Sequence, residues 1–159
     1  MFTFACLVLL ALWAARGLAA TFIVVNTTND NVANDGLCTL REAITAANND
    51  TASGAASGEC AAGSGADTIT FAIPNTDAGC PSGVCTINLL TAPAPDTASA
   101  LAISSDLTIT GTGADKLIVK RGDSVAERFR IFSITGGAVA ISGMTISNGR
   151  LFGPRKGSE

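Results

Sequence analysis

Four cysteines, Cys38, Cys60, Cys80 and Cys85, are the residues best able to do covalent chemistry in this chain. A fifth, Cys6, sits in an apolar N-terminal run, so the remainder form an even set. In a chain bound for an oxidising compartment, an even set predicts disulfides. Three pairings are possible. Pro81, Ser82, Gly83 and Val84 make a turn-rich loop that can bring Cys80 and Cys85 together, which leaves Cys38 with Cys60 across a longer loop. A metal site would need four thiolates, or thiolates with His at paired spacings. The chain has no His and no C-x-x-C pair, so neither a metal ligand set nor a cofactor is expected. The absence of His also removes the Ser-His-Asp and Cys-His arrangements.

Two other patterns carry chemistry. Thr39-Leu40-Arg41-Glu42 matches the S/T-x-x-E capping box, in which the hydroxyl accepts from the amide three residues on and the carboxylate reaches back. Asn31 to Glu42 has the spacing of a calcium loop. However, Asn stands at its first position, Ala33 at its third, no helix precedes it, and Glu42 is already needed by the capping box. Asn26-Thr-Thr28 and Asn49-Asp-Thr51 match glycosylation sequons, a short pattern that arises readily by chance.

The elements that must position these groups follow in a definite order. Phe2 to Ala15 is apolar but, at about fourteen residues, shorter than the roughly 20 that cross a bilayer. Gly17, Leu18, Ala19 and Ala20 then offer cleavage after Ala19 or after Ala20, so residues 1–20 read as a signal peptide, although no Lys or Arg precedes the run. With the signal removed, Trp13 leaves, and the mature chain contains neither Trp nor Tyr. Residues 21–66 read as an N-terminal unit: a first strand over Thr21 to Val25, a helix over Leu40 to Asn48 stopped by Asn48 and Asn49, and an Ala/Gly/Ser loop held by Cys60.

Residues 67–149 read as short strands: Thr68 to Ile73, Thr86 to Leu90, Leu101 to Ile103, Leu107 to Thr110, Leu117 to Val119, Phe129 to Ile134, Val139 to Ile141 and Met144 to Ile146. Leu107-Thr-Ile-Thr-Gly111 returns as Val139-Ala-Ile-Ser-Gly143, with a second strand after each. Strand, glycine, strand at roughly 25 to 30 residues suits a solenoid, whose coils present inward faces that only the next coil can cover. The pattern stops at Gly149, and residues 150–159 are expected to be irregular, the mark of a truncated or deliberately short reading frame. Val139, Ile141, Met144 and Ile146 would then stand exposed.

Cys38-Thr-Leu-Arg-Glu-Ala-Ile44 resembles the CSLREA-type N-terminal module of exported bacterial β-helix proteins. The likeness continues through Gly65-Ala-Asp-Thr-Ile-Thr-Phe71, Leu107 to Leu117 and Ile141 to Gly149, with Thr39 where that motif usually has Ser. The resemblance implies a mostly β fold, a right-handed parallel β-helix of the pectin-lyase-like kind with a short capping helix at its N-terminal end. Thr39, Leu40, Arg41, Glu42 and Ile44 would be its structural motif. Leu40, Ile44 and Ala47 would cover the first coil's apolar cross-section, and Arg41 and Glu42 would pair and cap rather than catalyse.

Folds of that kind include polysaccharide lyases and glycoside hydrolases, which need paired carboxylates, or a basic residue beside Asp-bound calcium. The loosely fitting pairs are Asp106 with Asp77 or Asp96, and Lys120 or Arg121 with Arg150, none with a local motif. No catalytic residue is expected. A net charge of -3 argues against nucleic acid as a partner, and no membrane insertion is expected after signal cleavage. The expectation is a secreted or cell-surface, non-catalytic module of an adhesin-like protein, meeting surface carbohydrate or other surface components through further coils. The alternatives are a fragment of a carbohydrate-active lyase or hydrolase, or a small disulfide domain that binds a partner protein.

Overall fold

The computed structural model describes residues 20–90 and 99–150, so the expected signal peptide up to Ala19, Asp96 and the tail after Arg150 lie outside the described residues. It is mostly strand in parallel sheets, with one α-helix. β1 (Phe22–Val25) is followed by α1 (Leu40–Asn49), β2 (Asp67–Phe71), a single 3-10 turn (Pro81–Gly83) and β3 (Cys85–Leu89). Then come β4 (Ser99–Ile103), β5 (Leu107–Thr110), β6 (Leu117–Arg121), β7 (Arg130–Ile134), β8 (Val139–Ser142) and β9 (Thr145–Ser147). The expected strands all form, with ends displaced by a few residues. Phe129, expected to open β7, instead lies fully buried just ahead of it.

Three sheets result, in the orders β1-β2-β5-β8, β3-β6-β9 and β4-β7, and every strand pair is parallel. From β2 onward the chain visits the three sheets in a fixed rotation. Strands of alternating type need one covered face, and here the residues of that face stack in register. Ile23 pairs with Ile69, Ile69 with Ile109 and Ile109 with Ile141. Ile87 pairs with Val119 and Val119 with Ile146, while Ile103 pairs with Ile134. Full burial of a side chain of this size contributes about 1.5 to 3 kcal/mol.

Burial along these stacks runs one way. Ile23, Ile69, Ile109, Ile87, Val119 and Ile103 are fully buried, whereas Ile141 is half-buried and Ile146 and Ile134 are 47% and 56% exposed. Of the four apolar groups expected to stand exposed, Ile146 does, while Val139, Ile141 and Met144 are half-buried. At the other end, Leu40, Ala43, Ile44 and Ala47 of α1 are buried in the core with β1 and β4.

The internal echo noticed in the sequence is a direct stack, since Leu107 to Thr110 pair with Val139 to Ser142, thirty-two positions on. Its glycines have a steric reason. A Cβ on Gly111 would lie 2.1 Å from the carbonyl oxygen of Gly143, so the two turns approach closer than any side chain permits. The expected spacing is short of what is found for most strands. Cys85 pairs with Leu117 at thirty-two positions and Asp67 with Leu107 at forty, while Ile118 pairs with Thr145 at twenty-seven. The interval of forty contains the Cys80–Cys85 loop and residues 91–98.

Candidate functional site

The most heavily bonded region of the described chain is the N-terminal segment from Asn26 to Cys60, where it crosses the strand edges of β3 and β4. It is built from the capping box upward. Thr39 is extended at the N-cap, its hydroxyl accepts from the Glu42 amide at 3.2 Å, and the Glu42 carboxylate accepts from the Thr39 amide at 3.0 Å. Glu42 is buried, and its second oxygen accepts from the Ala33 amide at 2.8 Å. It therefore folds the loop before the helix onto the helix start. The calcium-loop reading of Asn31 to Glu42 does not fit this geometry, because both Glu42 oxygens are taken by amides and Asn31 instead donates to Asp35.

The two expected disulfides are present, Cys38–Cys60 and Cys80–Cys85. Cys38 stands immediately before the N-cap, so its link to Cys60 fixes the loop of residues 50–60 against the helix start. Within that loop Glu59 accepts from Ser53 Oγ at 2.6 Å and from the Gly36 amide at 2.8 Å. The Ser53 hydroxyl, then the Gly36 amide, hold the Glu59 carboxyl below its ordinary range. Asp35 lies close enough for its charge to be felt at Glu59, but its own oxygens are engaged with the Leu37 amide and Asn31. The sequon residue Asn26 is also engaged, donating to Gly58 O at 2.9 Å and accepting from the Cys38 amide at 2.7 Å.

What this segment does is satisfy strand edges. β4 pairs on one side with β7. On its other side, Arg41 Nη1 donates to Ala100 O at 2.7 Å, Asn48 Nδ2 donates to Ala102 O at 2.8 Å, and Asn48 Oδ1 accepts from the Ser104 amide at 2.8 Å. Groups on alternate residues of one strand edge are what a neighbouring parallel strand would bond, so two helix side chains replace that strand. Arg41 is held in place by Asp30, at 2.7 Å from Nη2. Asp30 also accepts from the Leu90 amide at 2.7 Å, just past the end of β3, and Gly79 O accepts from Thr86 within β3 at 2.7 Å.

Asn48 corrects an expectation. The sequence assigned it, with Asn49, to stopping the helix, but α1 runs through Asn49 and the left-handed residue is Asp50, at φ 51°. The amide of Asn48 is used as a strand partner instead.

Asp77, a candidate carboxylate, accepts from both Thr27 and Thr28 hydroxyls and from the amides of Thr28 and Gly79. Burial alone would raise its pKa, but these donors, the Thr28 hydroxyl foremost, hold it below 3.8. Its bonding therefore stabilises the fold fully above about pH 4, and the contribution is lost as pH falls through the lowered folded-state value. Asp77→Asn should be less stable than the parent at about pH 7, and the gap should narrow as pH falls below about 4, as read by urea melts along that pH range. A gap that stays constant with pH would mean the Asp77 charge is not what the threonines hold.

The other candidates are not assembled into one centre. Asp106 accepts from the Ala138 amide at 2.7 Å in a turn between strands, while Asp77 lies on the loop against Thr27 and Thr28. Lys120 pairs with Asp123 at 2.7 Å. Arg121 is buried, donating to Asn148 O at 3.1 Å and to the carbonyl of Val125, and Arg150 is exposed two positions past Asn148. Asn148 returns a bond to Arg121 O at 2.9 Å from a left-handed backbone, at φ 58°. Among the described residues no three His, Cys, Asp or Glu cluster as metal ligands, and no helix is long and apolar enough to cross a membrane. Compared with protein-family models, with curated proteins and with solved structures, the chain matches none of them.

Proposed function

We propose that the chain is the N-terminal cap and first coils of a right-handed parallel β-helix in an exported or cell-surface protein, similar to the CSLREA-type module. Its work is architectural. A parallel solenoid begins with strands that have no preceding neighbour, and such edges template aggregation unless covered. The observation that carries this reading is the pair of helix side chains, Arg41 and Asn48, on the free edge of β4. The rotation of successive strands through three parallel sheets supports a coil, and the open apolar groups of β8 and β9 suit a surface onto which further coils stack. The two disulfides favour export, because cytosolic thiols are kept reduced. The module is non-catalytic in this reading, and contact with surface carbohydrate belongs to further coils.

The test is to express the full chain in a secreting bacterial host, fractionate the cells, and assay the purified product on a panel of acidic and neutral polysaccharides. The expected result is oxidised protein outside the cytoplasm that forms neither new reducing ends nor unsaturated sugars. Retention in the cytosol with free thiols overturns export. Polysaccharide turnover overturns the architectural reading in favour of a lyase or hydrolase.

A further inference from the structure

Asp67 is a buried carboxylate, 2% exposed, at the start of β2. Its Oδ1 accepts from the Ser64 amide at 2.8 Å and from the Thr21 nitrogen at 3.2 Å. Its Oδ2 is buried too, yet has no hydrogen-bond partner among the described residues. The wall on that side is backbone: a side chain on buried Gly63 would come within 2.4 Å of Oδ2 and 2.9 Å of Ala46 O. Serving two amides through one oxygen requires an acceptor but no charge, and an Asn would do it. A buried charge with one bare oxygen is costly unless a cation or further donors meet it. The carboxylate therefore calls for a donor richer than an amide N–H.

Thr21 is the group placed to be that donor. Its carbonyl accepts from the Thr68 amide at 2.8 Å and its hydroxyl lies 2.7 Å from Ser64 Oγ, so its position against β2 is fixed on three sides. Ala20, the residue before it, is exposed. We infer that the leader is removed at the Ala20–Thr21 bond and that Asp67 binds the α-ammonium so formed as an ion pair, locking the new chain start into the fold. This rests on the export reading above. The step is hydrolysis by an export peptidase. The C–N bond breaks, the oxygen of water goes to the Ala20 carbonyl as a carboxylate, and the Thr21 nitrogen takes up the protons to become –NH3+. One ammonium proton keeps the bond to Oδ1 and another serves Oδ2, both now charge-assisted. Of the two cleavage positions the sequence offers, after Ala19 or after Ala20, only the second leaves a terminal nitrogen at this place.

Intact-mass measurement on the exported full-length product identifies its first residue. The purified product is then compared with a form that begins at Ala20, which keeps Asp67 and an amide at Thr21, and with Asp67→Asn. The rate of α-amine reductive methylation, read on the N-terminal peptide, should be about tenfold slower for the Thr21 start than for the Ala20 start. Asp67→Asn should bring the Thr21 start up to the Ala20 rate, and the Thr21 start should melt above the Ala20 start. Cleavage elsewhere overturns the inference and leaves export standing. An exported product that keeps its leader likewise overturns the inference, whereas retention in the cytosol with free thiols overturns the export reading on which it rests. A Thr21 start whose amine reacts as fast as that of the Ala20 start overturns the ion pair while leaving export untouched.

Discussion

Chemical reduction of the Cys38–Cys60 bridge lowers stability by about 3 kcal/mol, and the double variant Cys38→Ala/Cys60→Ala loses more. The link spans 22 positions, and the chain entropy released to the unfolded state on opening a loop of that size is worth about 3 kcal/mol. Both cysteines are fully buried in the core, so truncation to Ala adds a packing loss to the entropic one. Cys80–Cys85 closes a loop of only 5 positions, for which the same relation gives about 2 kcal/mol. Cys85 is half-buried, so packing adds less there. The order of the two bridges is therefore the test. Urea melts of Cys38→Ala/Cys60→Ala, Cys80→Ala/Cys85→Ala and the parent should rank in that order of loss, and equal losses would show that the longer link does not hold α1 in place.

The reason the longer bridge matters is its address. It joins the residue before the N-cap to the loop that Ser53 and Glu59 organise, and α1 sits over the core through Leu40, Ile44 and Ala47. Opening the bridge frees the end of α1 that carries Arg41. The effect thus passes from covalent constraint, through helix position, to the covering of β4.

Which of these features could be read from the chain depends on sequence separation. The capping box was legible because Thr39 and Glu42 are three residues apart and a single helical turn brings them together. The strands were legible from alternation and turn residues, and their ends moved because a ladder's last pair is decided by the neighbouring strand rather than by the residues themselves. The covering of β4 was not legible. Arg41 reaches Ala100 across 59 positions and Asn48 reaches Ala102 across 54, and no spacing rule links them. Asn48 misled for a physical reason: Asn tolerates the left-handed conformation and so reads as a helix stop, but here its side-chain amide carries both a donor and an acceptor, the pair a strand edge requires. Nothing local marks out Asp67, because Asp in a Gly-Ala-Asp stretch commonly bonds its own backbone in a turn. Its bond to the Ser64 amide has that local character, while the bond to Thr21 lies 46 positions away.

Arg41→Ala should cost about 3 kcal/mol and convert the protein to one that associates as concentration rises. Removing one partner of a buried ion pair costs about 3 to 5 kcal/mol. The Asp30 side chain is 3% exposed and that of Arg41 17%, so some water reaches the pair and the loss falls at the lower end. Asp30 keeps the Leu90 amide but loses the guanidinium, and Ala100 O loses its donor. Arg41→Lys should recover only part of the loss, because one ammonium cannot reproduce the guanidinium's fixed fork between Asp30 Oδ1 and Ala100 O. Urea melts measure the stability, and light scattering against concentration measures the association. The second reading separates two roles. If Arg41→Ala loses stability but stays monomeric, the ion pair is structural and the β4 edge needs no guard. If Asn48→Ala, which leaves the ion pair intact and uncovers Ala102 O and the Ser104 amide, also associates, then the unpaired strand edge itself drives the contact, and covering it is what this segment of the chain is for.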